Sequence, residues 1–338
     1  MKRLWTGSVA AFGLIILILD SKTALYGAGE GIRLCIQAVI PSLFPFFVLS
    51  VLLTGALTGV SIPFLRPIGK LCGLPAGCES LLIPGFLGGY PAGAQCIDQA
   101  YRAGQLQRRD AWRLLGFCSN AGPAYLFGIV AGRFPHMRCA WLLWGIHILA
   151  AVLVGVILPD RSDSNAVIHP GKPLSIPDAV YRSIRIMAGV CAWVILFRTV
   201  IAFLERWFLW LLPDPVQVVI TGLLELSNGC CELGRIAHPG LRFIIASGLL
   251  ASGGLCVFMQ TVSVTKGSGL GLYLPGKALQ TLISVELSFL AQIFFLPANE
   301  CYQIPLYFHV LLITFLIILL YSLKKSKIRS RNSLILPV

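Results

Sequence analysis

The feature that most constrains this chain is an uncharged apolar segment, residues 81–95, that is interrupted by helix-breaking residues. The breakers are Pro84, Gly85, Gly88, Gly89, Pro91 and Gly93. A broken helix leaves backbone N–H and C=O groups unpaired, and lipid tolerates this only where protein or water supplies new partners. The segment therefore predicts irregular backbone beside a cavity, which in membrane proteins usually marks a binding site.

The composition indicates that lipid is the solvent for much of the chain. Of 338 residues, 57% are hydrophobic and 12% are charged, and the mean hydropathy is +0.82. Crossing the hydrocarbon core takes roughly 17–25 apolar residues, and uncharged windows of that length occur at 34–65, 114–132, 139–159, 243–265 and 301–323. We therefore predict an all-α polytopic membrane protein.

The net charge of +13 could suggest nucleic-acid binding, but the basic residues lie beside apolar spans, as the positive-inside rule expects. We therefore expect membrane lipid and no nucleic acid as a partner. The last span is followed by Lys324, Lys325, Lys327, Arg329 and Arg331, which places the C-terminus in the cytoplasm. The apolar run after Arg3 resembles a signal peptide, but it lacks a clear cleavage site, so we favour a retained first span with a cytoplasmic N-terminus in the plasma membrane.

The residues offer no enzyme, metal or cofactor signature. The eleven cysteines form no CxxC pair, so they indicate small buried apolar side chains rather than a metal site or a disulfide framework. HExxH, GxSxG and P-loop motifs are absent from the sequence. We expect neither catalysis nor a cofactor.

The spans predict about eight transmembrane helices and two re-entrant hairpins. Residues 1–34 form an N-terminal span and an amphipathic linker, 35–159 a first repeat, 160–178 a polar cytoplasmic linker, 179–300 a second repeat, and 301–338 a C-terminal span with a basic tail. The hairpins are predicted at 79–103 and 215–236, and broken spans at 112–132 and 243–265.

The two halves repeat one order: a span, a hairpin and a broken span. With basic residues held inside, span 36–60 runs inward whereas its counterpart at 186–205 runs outward, so the repeats would be inverted. Inverted repeats with discontinuous helices are typical of secondary transporters. Identity between the halves is weak, and a chance similarity of two glycine-rich stretches stays open.

The polar side chains nearest the four interruptions are the candidate solute-binding residues. They are Tyr90, Gln95, Ser119, Asn120, Glu225, Ser227, Asn228, Ser252 and Gln260. A carboxylate at membrane depth costs about 2.5 kcal/mol or more, so Glu225 is a functional candidate, unless its hairpin stays shallow and wet. Glu286 is a candidate either to bind a coupling cation or to pair with Lys277 or Arg198, and we favour pairing. His147 is expected to pack and to donate to a backbone carbonyl.

The chain resembles the YlbJ-type sporulation integral membrane proteins in two motifs, "GFLGGYPAGAQ" (85–95) and "FCSNAGPAYLFG" (117–128). The resemblance is looser in two further motifs, "LLELSNG" (223–229) and "ASGGLCVFMQTVSV" (251–264). That group is placed within the larger nucleoside-recognition, or gate, domain group. The resemblance implies a membrane protein acting in sporulation or spore cortex formation. It also implies a fold similar to concentrative nucleoside transporters, with polar contacts around Gln95, Asn120, Glu225 and Ser252.

Two function classes remain open at this stage. The first is a transporter-like protein that binds a small polar solute, nucleoside-like or coupled to H⁺ or Na⁺, with homo-oligomerisation left open. The second is a membrane scaffold that recruits partners during spore envelope formation. A polar, solvent-reachable pocket at the four interruptions would favour the first, and a sealed apolar interface the second.

Overall fold

The structure, a computed structural model, describes residues 2–158 and 174–295, apart from Thr58, Ser61 and Ala76, together with His309 and Thr314. Within these ranges the chain is helical and contains no β-strand. The helices are α1 (Lys2–Leu19), α2 (Ser21–Leu34), α3 (Ile40–Leu57), α4 (Arg66–Leu71), α5 (Leu82–Phe86), α6 (Ala92–Arg102), α7 (Arg108–Leu115), α8 (Pro123–Tyr125), α9 (Met137–Ile157), α10 (Ile176–Trp207), α11 (Asp214–Leu224), α12 (Leu226–Glu232), α13 (Pro239–Ser252), α14 (Gly254–Val264) and α15 (Tyr273–Phe295).

Four helical segments of the described chain are long and apolar enough to cross a membrane. They are Ser21–Leu57, Met137–Ile157, Ile176–Trp207 and Pro239–Val264. The predicted all-helical membrane fold is confirmed to this extent, whereas the number of eight spans stays a prediction. The predicted C-terminal span and tail, 301–338, lie outside the described residues except for His309 and Thr314.

Residues 21–34, predicted from the sequence as part of an amphipathic linker, form a helix in the structure. Helix α2 starts after Asp20, whose carboxylate accepts a hydrogen bond from the Thr23 N–H at 3.3 Å. It continues through a π-helical turn, Cys35–Val39, into α3. Helix α2 packs on α10, where a Cβ at Gly27 or at Gly31 would lie 2.8 Å from α10 backbone atoms. The partner is distant in sequence, which explains why local pattern did not reveal the helix.

The predicted order of elements recurs in both halves. The first half contains, in order, helix α3, the α5–α6 hairpin, α7 with its break, and α9. The second half contains, in the same order, helix α10, the α11–α12 hairpin, the broken α13–α14 segment, and α15. Most of the predicted linker, residues 159–173, lies outside the described ranges. Helix α10 begins inside the predicted linker because Ser175 caps it, accepting a hydrogen bond from the Asp178 N–H. The inverted orientation of the halves stays a prediction.

All four predicted interruptions are present as breaks between helices. Helices α5 and α6 are separated by residues 87–91, which include a cis peptide bond at Tyr90–Pro91. Helix α7 is followed by non-helical residues up to Gly122 and then by α8 and a π-helical turn, Leu126–Val130, so the predicted span 112–132 is a series of short pieces. Glu225 separates α11 from α12, and Gly253 separates α13 from α14.

Candidate functional site

The four breaks meet in the interior of the molecule. A Cβ at Gly122 would lie 3.0 Å from the Cα of Gly89, so the break after α7 contacts the turn of the first hairpin. A Cβ at Gly254 would lie 2.7 Å from the carbonyl oxygen of Gly222, so the break in α13–α14 contacts the second hairpin. A Cβ at Gly253 would lie 3.3 Å from the Tyr90 hydroxyl, so the break in α13–α14 also contacts the first hairpin.

Two of these glycines are required by backbone conformation as well as by space. Gly253 and Gly254 have φ values of +72° and +74°, in the left-handed region where a Cβ is strained. This left-handed conformation lies where α13 ends and α14 begins. The sequence Ser-Gly-Gly therefore defines the break that brings α14 against the second hairpin.

A small cavity lies where the breaks meet. Its water-accessible volume is about 40 Å³, room for a few water molecules. The lining combines apolar side chains of α3, α10 and α14 with residues from the two hairpins and from the stretch that follows α7. Its polar members are Tyr90, Tyr125, Glu225, Ser227 and Gln260. We call this space the inner cavity.

A larger polar space adjoins the inner cavity. It measures about 400 Å³ and shares Val190 and Gln260 with the inner cavity. Its polar lining comes from α6, the first turns of α10, and α14: Gln95, Gln99, Arg182, Arg185, Gln260 and Ser263. The described lining contains two arginines and no acidic side chain. We call this space the vestibule.

Glu225 is buried, 2% exposed, and its carboxylate caps α12. One oxygen accepts a hydrogen bond from the Ser227 N–H at 3.0 Å, and the other accepts from the N–H and the side-chain amide of Asn228, both at 2.7 Å. These bonds satisfy N–H groups that the start of a helix leaves unpaired. The carboxylate is thus held in one position at the wall of the inner cavity.

A second polar network lies behind the inner cavity and centres on Lys277 of α15, which is 4% exposed. The Lys277 ammonium donates to Gln280 Oε1 at 2.6 Å and to Tyr90 Oη at 3.0 Å, and lies 3.5 Å from Asn120 Oδ1. The Gln280 side-chain amide donates to Asn120 Oδ1 at 2.8 Å and to the His147 carbonyl at 3.3 Å. The network links the first hairpin, the break after α7, α9 and α15.

His147 is buried, 2% exposed, as predicted, but its hydrogen bond runs in the opposite direction. Its Nε2 accepts the Ala121 N–H at 3.1 Å, instead of a ring nitrogen donating to a carbonyl. The break after α7 leaves the Ala121 N–H without a helical partner, and the imidazole supplies one. Glu286 is bonded to His309 Nδ1 at 3.0 Å, instead of to Lys277 or Arg198.

The structure separates the nine predicted site residues into three groups. Tyr90, Glu225, Ser227 and Gln260 line the inner cavity, and Gln95 lines the vestibule together with Gln260. The remaining four, Ser119, Asn120, Asn228 and Ser252, line neither space among the described residues.

Hydrogen bonds explain the position of three residues in the last group. Asn120 donates to the Gly85 and Phe117 carbonyls at 3.2 and 2.7 Å and so turns towards Lys277. Asn228 supports Glu225, and the Ser252 hydroxyl donates to the Leu249 carbonyl at 3.0 Å.

Sequence reasoning did not select Lys277, Gln280, Arg182 or Arg185. Helix α15 carries a buried polar stripe at helical spacing, which was the available signal: Lys277, Gln280, Ser284, Ser288 and Gln292. The two arginines lie near the start of an apolar span, where basic residues are common, and no local motif indicates that they face a cavity.

The described residues form a helical fold with long apolar helices, which is the architecture of an integral membrane protein. The chain is similar to the sporulation integral membrane protein YlbJ of Bacillus subtilis (strain 168), with 26% identity over 315 residues that cover 78% of this chain and 76% of the relative. This finding confirms the resemblance to YlbJ-type proteins that the two glycine-rich motifs predicted. No protein-family model matches the chain. No solved structure matches it either.

Proposed function

We propose that this protein is a membrane transporter for a small organic anion and that it acts in sporulation. The observation that carries the proposal is that the vestibule shares Val190 and Gln260 with the inner cavity, which is lined by residues of three helix breaks and of α14. Discontinuous helices that meet around a polar space are the usual solute site of secondary transporters. The role in sporulation rests on the name of the YlbJ relative.

The vestibule supports an anionic solute. Arg182 and Arg185 lie three residues apart on α10, so both guanidinium groups lie on one helical face, which borders the vestibule. Guanidinium groups bind carboxylates and phosphates through paired, charge-assisted hydrogen bonds. The amides of Gln95, Gln99 and Gln260 offer further donors and acceptors to a polar solute.

The two spaces differ in size, which supports a step of conformational change. The vestibule, at about 400 Å³, lies in the range of about 300–1,000 Å³ that is usual for small-molecule sites. The inner cavity, at about 40 Å³, is too small for such a solute. A solute held in the vestibule would reach Glu225 and Ser227 only when the hairpins or Gln260 move.

The orientation follows from charge. Basic residues are held on the cytoplasmic side, and Arg182 and Arg185 lie near the start of α10, so the vestibule faces the cytoplasm in this proposal. The repeats are then inverted, with both termini in the cytoplasm, and the fold is of the gate-domain kind that includes concentrative nucleoside transporters. The opposite side would be reached when the paired hairpins separate.

Uptake into proteoliposomes tests the proposal with three labelled probes: uridine, uridine monophosphate and benzoate. We expect uptake of at least one anion above that of protein-free vesicles and little uptake of uridine. The Arg182→Ala/Arg185→Ala double variant should reduce uptake of the anion, whereas Arg138→Ala, an exposed arginine outside the vestibule, should not. Uptake of uridine alone would refute the anionic class, and no uptake of any probe by a folded protein would favour the scaffold.

A further inference from the structure

Lys277 is a buried cationic residue that the proposed solute path does not use. It lines neither the inner cavity nor the vestibule, and its side chain is almost fully enclosed. Among the described residues, no carboxylate lies within ion-pairing distance of its ammonium. A charge at such a position is costly unless neighbouring dipoles replace the lost water, so its surroundings call for a functional explanation.

The groups around the ammonium are neutral oxygens from three separate parts of the fold. Tyr90 belongs to the turn of the first hairpin, Asn120 to the break after α7, and Gln280 to α15. Their oxygens lie 3.0, 3.5 and 2.6 Å from Lys277 Nζ. The ammonium also lies 5.1 Å from the centre of the Tyr90 ring, within the range of a cation–π interaction.

Other hydrogen bonds orient the two amides so that their oxygens face the lysine. The Asn120 NH₂ group is committed to the Gly85 and Phe117 carbonyls, so its oxygen faces Lys277. The Gln280 NH₂ group is committed to Asn120 and to the His147 carbonyl, so its oxygen also faces Lys277. A set of neutral oxygens fixed in this way is the coordination that alkali cations take in membrane proteins.

The backbone fixes the position of the lysine itself. A Cβ at the preceding residue, Gly276, would lie 2.0 Å from the Gly116 carbonyl oxygen, so α15 lies directly against the end of α7. The Gly-Lys pair thus places the ammonium at the junction between the first hairpin and the broken segment. The same junction also has direct backbone contact between Gly89 and Gly122.

We propose that Lys277 is a built-in cation that takes the place of a free coupling ion at this junction. Its ammonium holds the turn of the first hairpin against the break after α7, so that docking of this hairpin requires no Na⁺. Lys277 is a positioning residue, because it touches the hairpin and not the solute space. The inference rests on the proposed function for its meaning in transport, but its test does not depend on transport.

Hydrogen exchange of the purified full-length protein, read by mass spectrometry in Na⁺ or in choline, tests the proposal. In the parent protein we expect protection of residues 84–95 and 116–125 to be the same in both salts. Lys277→Ala should raise exchange in these two segments by about tenfold or more in choline, the loss expected for a hydrogen bond to a charged group. Na⁺ or propylammonium, which fit the vacated oxygen set, should restore protection.

Matched variants make the result specific. Lys277→Met fills the space without a charge, so it should raise exchange in the same segments, and neither cation should reverse the rise. Lys266→Ala, an exposed lysine in the loop before α15, should change neither segment, and the second hairpin, residues 214–232, should be unaffected in all variants.

Three results would overturn the proposal. The first is protection that depends on Na⁺ in the parent protein, and the second is unchanged exchange in both Lys277→Ala and Lys277→Met. The third is a rise in exchange in Lys277→Ala that neither Na⁺ nor propylammonium reverses. If Lys277→Ala does not fold, the parent in the two salts and Lys277→Met decide the question. Because exchange is measured without solute, a protein that transports no probe can still support the role of Lys277. A transporting protein can likewise refute it.

Discussion

Glu225 and Asn228 are joined by two hydrogen bonds of 2.7 Å to the same carboxylate oxygen, one from the Asn228 backbone and one from its side chain. The residue that caps α12 is therefore also the acidic residue at the wall of the inner cavity. The two roles are linked because the cap fixes the carboxylate where a solute or a cation would meet it. The position of this group is set by the start of a helix and does not depend on a flexible loop.

Glu225→Gln tests the cap. A glutamine offers one acceptor oxygen where the carboxylate offers two, and its NH₂ group faces an N–H donor. We expect a loss of roughly 1–3 kcal/mol in the free energy of unfolding, measured by denaturant titration in detergent. Glu30→Gln is the control, since Glu30 is a partly exposed partner of Arg33 and such pairs contribute about 0–1 kcal/mol. Equal effects of the two changes would show that the cap contributes little.

Gly254→Ala tests the break between α13 and α14. The added Cβ would meet the Gly222 carbonyl oxygen at 2.7 Å in a backbone conformation that disfavours side chains. We expect a loss of at least about 1–2 kcal/mol and a lower thermal midpoint. Gly145→Ala, in the middle of α9 with no atom within 4 Å of the new Cβ, should be neutral or stabilising by up to about 1 kcal/mol. A tolerated alanine at residue 254 would contradict the observed contact of the break with the second hairpin.

Gly27→Ala tests the packing of α2 on α10. Its Cβ would lie 2.8 Å from the Thr199 Cα, and backbone cannot move aside as a side chain can. Overpacking of this kind costs about 1–3 kcal/mol, which we expect to see in the unfolding free energy. Gly29→Ala lies on the same helix and meets nothing within 4 Å, so it should not destabilise the protein. If the two variants are equally stable, α2 does not pack in this way.

Sequence reasoning located three of the four breaks because glycine and proline act locally, whereas the fourth break lies at Glu225, between two leucines. Gly89, Pro91, Gly122 and Gly253 lie at or next to the observed breaks. It also singled out Glu225, since a carboxylate in an apolar stretch is conspicuous. Local pattern does not indicate the helix at Ser21–Leu34 because its stability comes from contact with α10, far along the chain, as the contact between Gly31 and Ile195 shows.

Side-chain direction was the part that local pattern could not supply. Asn120 and Gln260 both lie near breaks, but only Gln260 reaches the cavities, because the Gly85 and Phe117 carbonyls hold Asn120 on the other side. Lys277 was considered only as a partner for Glu286 on its own helix. Its actual partner Tyr90 is 187 residues distant, and tertiary packing alone brings them together.

The vestibule arginines give a prediction about salt. If Arg182 and Arg185 attract the solute through exposed charge, the affinity for the transported anion should fall as ionic strength rises, because exposed charges are screened. The Arg182→Ala/Arg185→Ala variant should bind this anion about tenfold more weakly at low salt, a loss of about 1.4 kcal/mol, and should show a flatter salt dependence. Calorimetric titration at several ionic strengths measures both. A parent affinity that is independent of salt would contradict an electrostatic role.

The central claim is that solute passes between the helix breaks. Its most direct test measures anion uptake by the Ser227→Cys variant before and after treatment with a negatively charged methanethiosulfonate reagent. Ser227 lines the inner cavity, so the account predicts that the reagent removes most uptake in this variant, leaves the parent largely active, and reacts more slowly when the transported anion is present. Full uptake by a Ser227→Cys protein whose introduced thiol is shown to be modified would contradict it.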